Sequence, residues 1–378
     1  MNVQEGCGRM KLLSARIERF KGLRSLDLDF RDSDGIARER TLLLGDNGSG
    51  KTTVLQAIAL VVGMATRRVR GPESFRWYGF IPDRISSLGQ TRIEVQVCFD
   101  GDEVAATREL YEECRRVLPT EETQGWRLPG DHDTVTLQFT QGRVIASQGE
   151  PAKLQFLGRY YLKRILGARP DLRNEFARVG DIFWFDQFRN LGAVSTDSGD
   201  DQDRPNAGWA AGVELLRSYL VVWWSHHLTR QMRSDASEHA GRDYISSLEQ
   251  RMQKVFPGFC FVGIEPRRDI ETPGPSDFLV LVEREGVHVP YDIAEMSSGE
   301  QAVFPLAYEM ARLDITKSLI LLDEIELHLH PPEQQALYVG LPRLAVDCQF
   351  IVTTHSRYLD GIVPEDSKIR LKGGRPCL

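Results

Sequence analysis

Residues 13–30 alternate apolar and polar positions, with Leu13, Ala15, Ile17 and Phe20 in one run and Leu26, Leu28 and Phe30 in the next. Successive side chains of a strand point to opposite faces, so the pattern predicts two half-buried strands, turned at Lys21 and Gly22. Residues 41–44 form a short, continuously apolar run. A glycine-rich loop from Gly45 to Gly50 follows, and then Thr52 to Met64 is apolar nearly all round. That order predicts a strand, a loop and a buried helix. Alternation returns over 92–99, 134–139 and 143–146, which predicts an antiparallel side sheet. The polar stretch 105–131 lies among these runs without an assigned element, and Ile182 to Phe185 predicts one further strand.

Beyond that strand the chain changes character. Gly192 to Asn206 is polar and acidic with no apolar period, the composition of a mobile loop. Four parts are expected: 1–190 as an N-terminal part, 191–207 as a mobile acidic loop, 208–275 as a helical subdomain and 276–378 as a C-terminal part. Leu215, Leu216, Leu220, Trp223, Trp224 and Leu228, then Ile245, Leu248, Met252 and Val255, recur at near-helical spacing. They predict two or three helices, too short for a long coiled coil at about 1.5 Å per residue. Strands are expected at 260–264, 278–283, 287–290, 318–323 and 349–353, with helices from about 298 and over 332–345. Strands alternating with helices make this an α/β fold.

Charge changes the picture little. Lys and Arg number 47 against 54 Asp and Glu, a net charge of -7. The chain as a whole is therefore no basic nucleic-acid coat, though a local basic face remains open, with Arg67, Arg68 and Arg70 as candidates and the pairs Arg115, Arg116 and Arg267, Arg268 beside them. The apolar stretches at 57–65 and 219–224 are at most about half the roughly 20 residues a membrane helix needs. The first ten residues lack a secretory leader's apolar centre, and the six cysteines form no CxxC pair. A reduced, cytoplasmic protein without membrane contact is expected.

The chemistry concentrates in four places. Gly45-Asp-Asn-Gly-Ser-Gly-Lys51-Thr52 fits G-x-x-x-x-G-K-[ST] between an apolar strand and a helix. Glycines let successive N–H groups of such a loop turn inward, and with the positive helix end they cradle phosphates. Asn47, Gly48, Ser49, Gly50, Lys51, Thr52 and Thr53 are the candidate nucleotide-binding residues, Lys51 reaching the outer phosphates and Thr52 ligating Mg²⁺. Ser318-Leu-Ile-Leu-Leu-Asp323-Glu324 delivers an acidic pair to the carboxyl end of a central strand. Asp323 is expected to hold Mg²⁺ with Thr52, and Glu324 to act as general base on a water in line with the γ-phosphate. Met296-Ser297-Ser298-Gly299-Glu300 opens a helix with a serine cap, a second anion-binding surface through Ser297 and Gly299. Lastly, His355 in Thr353-Thr354-His355-Ser356 ends the last strand, where an imidazole can sense the γ-phosphate.

In this order the motifs resemble the ABC-type ATPase heads of the RecF, SMC, Rad50 and OLD group, and Ile17-Glu-Arg-Phe-Lys-Gly-Leu23 resembles that group's first strand and turn. The resemblance implies an ABC-type P-loop head with an antiparallel side sheet, a short helical subdomain and no long coiled coil. It further implies ATP with Mg²⁺ held between two heads of a homodimer or higher assembly, the P-loop of one facing Ser297 and Gly299 of the other. Gln187, in Trp184-Phe-Asp-Gln-Phe, is a counterpart of the group's Q-loop glutamine and so a further metal-site candidate. Pro305 departs from an ideal helix, where proline costs about 3 kcal/mol or imposes a kink. Glu326-Leu-His328-Leu-His330-Pro resembles the Leu-His-Pro run of OLD-like and defence-associated ATPases. A metal site from Glu326, His328 and His330 is weighed against a structural role and set below it, for want of a fourth ligand.

The short stretch after Ser356 leaves no room for the nuclease that OLD proteins carry there, so any nuclease effector is expected as a separate polypeptide. The expectation is a stand-alone ATPase switch of a prokaryotic anti-phage system of the Septu type, with DNA as a candidate partner. A RecF-like repair ATPase and a nucleotide-dependent scaffold are the alternatives, and Glu324 weighs against the scaffold, which needs no base.

Overall fold

The computed structural model describes residues 9–187, 209–232, 242–267, 274, 277–286 and 289–371. The acidic loop expected over 191–207 and Arg268 lie outside them. The chain divides into two compact units, one from Met1–Phe188, Ile315–Ile325 and Ala345–Leu378, the other from Arg189–Asp314 and Glu326–Leu344. The segment 276–378, set apart by sequence as one part, is thus shared between both.

In the first unit, β1 (Lys11–Phe20) and β2 (Leu23–Asp29) pair antiparallel and close at Phe20 opposite Leu23. They join β4 (Arg92–Cys98), β5 (Thr134–Thr140) and β6 (Arg143–Ala146) in an antiparallel sheet of order β2-β1-β4-β5-β6. A second sheet is wholly parallel: β3 (Arg40–Leu44), β7 (Ile182–Phe185), β11 (Leu319–Leu322), β12 (Gln349–Thr354) and β13 (Lys368–Arg370), in the order β13-β3-β12-β11-β7. Every residue of β7, β11 and β12 is buried, which is why these strands read as unbroken apolar runs instead of alternating ones. Helix α1 (Lys51–Ala65) packs on strands of both sheets and is buried along nearly its whole length. An apolar surface all round suits a helix covered on both sides.

The polar stretch after β4 is a helix, α2 (Gly101–Val117), where the sequence pattern assigned none. Its signals are local: the Asp100 side chain caps it by accepting from Glu103 N–H, acids fill the first turn, and Arg115 and Arg116 stand in the last. Ala106, Leu110, Tyr111 and Cys114 form its buried stripe, covered by α5 (Gly158–Ile165) after the short α3 (Thr120–Thr123) and α4 (Glu150–Leu154). The expectation of reduced cysteines throughout also needs correction. Cys98 is disulfide-bonded; spacing along a chain does not reveal which thiols folding brings together.

The second unit holds α6 (Trp209–Met232), α7 (Tyr244–Met252), α8 (Ser298–Arg312) and α9 (Pro331–Leu344) with a three-stranded antiparallel sheet. That sheet runs β10-β9-β8, from β8 (Cys260–Pro266), β9 (Phe278–Glu283) and β10 (Tyr291–Asp292). The third strand is Tyr291–Asp292, and Asp292 at its end caps the following helical turn; of the 287–290 that the pattern suggested, 287 and 288 lie outside the described residues. Trp223 stacks between Tyr244 and Tyr308, at ring centroid distances of 4.6 and 4.9 Å. Buried Arg217 pairs with Asp292. Pro305 lies inside α8, which continues across it. Among the described residues the longest helix is α6, of 24 residues, about 36 Å at about 1.5 Å per residue. Among the described residues no helix is long and apolar enough to cross a membrane.

Candidate functional site

Parallel strands bring their carboxyl ends to one edge, and in the first unit that edge collects the chemistry. Beyond β3 the chain enters the glycine loop. Gly48 and Gly50 adopt φ of 78° and 93°, which side-chain-bearing residues rarely adopt. Close approach also fixes Gly45, where a Cβ would stand 2.5 Å from Ser49 Oγ and 3.0 Å from the Leu371 carbonyl oxygen. Lys51 Nζ donates to the carbonyls of Gly45 and Asp46 at 2.7 and 3.2 Å, folding its ammonium back over the loop. Ser49 Oγ is buried without a hydrogen-bond partner, which suits a loop built to receive acceptor-rich phosphate.

Register then decides the neighbours. Leu322 of β11 lies level with Val352 of β12 and Phe185 of β7, so the next residues in each strand direction are Asp323, Thr353 and Asp186. Thr52 Oγ1 donates to Asp323 Oδ1 and Oδ2 at 3.1 and 2.9 Å, and Thr353 Oγ1 donates to Asp323 Oδ1 at 2.6 Å. Burial pushes the Asp323 carboxyl up to about 6; the two threonine bonds oppose this, and the charges of Glu324 and Asp186 add to it. A hydroxyl and a carboxylate held together are hard oxygen donors of the kind Mg²⁺ takes. Thr52 and Asp323 therefore fit the ion.

Glu324 leaves the strand with φ 47°, a backbone position costing about 1–3 kcal/mol for such a residue. Its N–H donates to Thr353 Oγ1 at 2.8 Å. His355 is exposed one residue beyond Thr354, which pairs with Leu44 at the entry to the glycine loop. Gln187 is half-buried, directly after Asp186. Sequence reading missed Asp186 and Thr353, since only strand order sets them beside Asp323; the acid directly following an apolar strand was the available signal for Asp186.

Ser297 and Gly299 belong to the second unit. Ser297 is exposed and caps α8 in a reciprocal box: its Oγ accepts Glu300 N–H, while its own N–H and Oγ–H donate to Glu300 Oε2 at 2.8 and 2.7 Å. Tyr291 OH donates to the other oxygen of Glu300. Gly299 is buried, and a Cβ there would stand 2.9 Å from the Glu333 carboxylate of α9, which would have to shift aside. Glu326 is buried while His328 and His330 are exposed. Among the described residues no three His, Cys, Asp or Glu side chains are grouped to hold a metal.

Of the arginines named for a nucleic-acid face, Arg68 is excluded. Its side chain is buried, paired with Asp181 at 2.9 Å and stacked over Phe183 at 4.1 Å. Arg67 stands over Tyr160 at 4.7 Å and, like Arg70, is exposed.

Two family models match, "AAA domain" over residues 14–148 and "AAA domain, putative AbiEii toxin, Type IV TA system" over residues 201–360. The chain is 23% identical to the retron Ec83 probable ATPase of Escherichia coli, covering 97% of this chain and 72% of that one. It is also 23% identical to the DNA replication and repair protein RecF of an Anaeromyxobacter species, covering 97% and 98%. Among solved structures, an SMC head bound to the C-winged helix domain of ScpA matches with a TM-score of 0.49 and 18% identity, over 93% and 91%.

Proposed function

We propose that this chain, an AAA/ABC-type ATPase head related to the SMC and RecF heads and to the retron ATPase, is a nucleotide-driven switch that binds and hydrolyses ATP. The observation that carries the reading is the joining of Thr52, at the start of the loop's helix, to Asp323, at the end of β11. Loop N–H groups and Lys51 hold the phosphates of ATP, and Gly45 and Gly50 leave the backbone free to approach them. Thr52 and Asp323 would hold Mg²⁺, which would supply positive charge against the phosphate oxygens. Glu324 accepts a proton from the attacking water, His355 senses the γ-phosphate, and Gln187 stands as a further contact to the metal site.

A second head supplies Ser297 at a positive helix end, so that ATP is enclosed between two copies and hydrolysis releases them. The dimer controls a separate effector, such as a nuclease, or acts on DNA directly. Similarity to a retron ATPase along 97% of the chain supports a role in prokaryotic anti-phage defence of the kind Septu-type systems serve. Similarity to RecF over nearly the full length of both chains favours repair as the second reading.

Steady-state ATP hydrolysis with and without duplex DNA, with Glu324→Gln as the blank, tests this. Turnover well above the blank is expected. Stimulation by DNA would favour direct action on nucleic acid, an unchanged rate a protein effector, and a rate equal to the blank a scaffold.

A further inference from the structure

Two hydrogen bonds meet on one oxygen in the first unit. Thr353 Oγ1 donates to Asp323 Oδ1 at 2.6 Å and accepts the Glu324 N–H at 2.8 Å. The Thr353 carbonyl accepts Ile325 N–H at 3.2 Å. One residue of β12 thereby holds three consecutive residues past the end of β11. The middle one, Glu324, has φ 47°, a conformation kept by a glutamate only where its surroundings impose it. Thr353 is fully buried, so its hydroxyl is not replaceable by bulk water.

We infer that Thr353 is the positioning residue of the acidic pair, its hydroxyl setting both the Asp323 carboxylate and the direction in which Glu324 leaves the strand. The inference rests on the ATPase reading above. A hydroxyl at 353 has two jobs that a methyl cannot do: a donor for a carboxylate and an acceptor for a main-chain N–H. A threonine that only filled the core would need neither. Thr353 touches no reacting atom in this scheme; it acts through Glu324, and its loss should slow turnover while leaving the phosphate loop able to bind.

The test uses the full chain with Thr353→Val, which keeps shape and removes the hydroxyl, and Thr353→Ser, which keeps the hydroxyl. Steady-state hydrolysis gives kcat and KM, and equilibrium titration with ATP gives Kd. Thr353→Val should lower kcat at least about tenfold with KM and Kd within about threefold, and Thr353→Ser should recover most of it. If the valine variant does not fold, Thr353→Ala decides by the same criteria. Unchanged kcat in the hydroxyl-less variant, a serine variant equally slow, or a loss of affinity matching the loss of turnover would overturn the inference. In each of those cases wild-type turnover blocked by Glu324→Gln leaves the ATPase reading standing; wild-type turnover insensitive to Glu324→Gln removes that reading and the inference with it.

Discussion

Thr52 Oγ1 stands 2.9 Å from Asp323 Oδ2, although 271 positions separate the two residues along the chain. The contact joins the helix that follows the phosphate loop to the strand that carries the acidic pair. On the proposed reading nucleotide and metal would meet at this point, and substitutions here should separate binding from turnover.

Asp323 has a pH signature. Its carboxyl is pushed up to about 6 from the ordinary 3.8, first by burial. A carboxyl with a higher pKa folded than unfolded gives up its proton more readily when unfolded, so it costs stability as pH rises from about 4 through about 6 and at every pH above. In nucleotide-free protein without Mg²⁺, Asp323→Asn should raise Tm at about pH 7.5, by at most about 3 kcal/mol of stability, with the gain vanishing near about pH 4. Thermal unfolding across that range checks it; a gain independent of pH would show that the buried charge is not its cause. The same variant should lose Mg²⁺-dependent turnover.

At Gly45 a Cβ has nowhere to go. With Ser49 Oγ at 2.5 Å and the Leu371 carbonyl at 3.0 Å, Gly45→Ala must push the loop open and should weaken ATP binding about tenfold or more. Gly22→Ala, with open space around it, is the control that should bind as wild type. Calorimetric titration of both would contradict the cradle if Gly45→Ala bound equally well.

The three arginines after α1 should behave differently from one another. Arg68→Ala leaves the Asp181 carboxylate buried without its guanidinium and should cost about 3–5 kcal/mol of stability. Exposed Arg67 and Arg70 should cost about 0.5 kcal/mol or less each. Denaturant unfolding separates them, and only Arg67→Ala with Arg70→Ala is a fair probe of DNA binding through its salt dependence.

For Ser297, replacement by alanine removes a helix cap worth about 1 kcal/mol and, on the proposed reading, the hydroxyl that a second copy would use. ATP affinity of the dilute chain should stay within about threefold while turnover loses its rise with protein concentration. A variant whose specific activity still climbs with concentration like wild type would remove Ser297 from the shared site.

Much of this was legible from local pattern. The glycine loop, its flanking strand and helix, the apolar β11 that ends in Asp323 and Glu324, and the serine-capped start of α8 all follow from periodicity and residue chemistry over a few positions. Helix α2 was equally local and was passed over, because its acidic first turn and basic last turn read as mere polarity unless a cap at Asp100 is looked for.

By itself, then, the amino-acid sequence determined the P-loop, the acidic pair and the alternating α/β plan, since backbone sterics, glycine and side-chain periodicity act between near neighbours. Only the tertiary structure decided what stands beside Asp323. The strand order β13-β3-β12-β11-β7 sets Asp186 on one side of it and Thr353 on the other, and the fold buries the Arg68 side chain against Asp181. Such neighbours depend on register and packing between segments far apart in the chain, which no local pattern encodes.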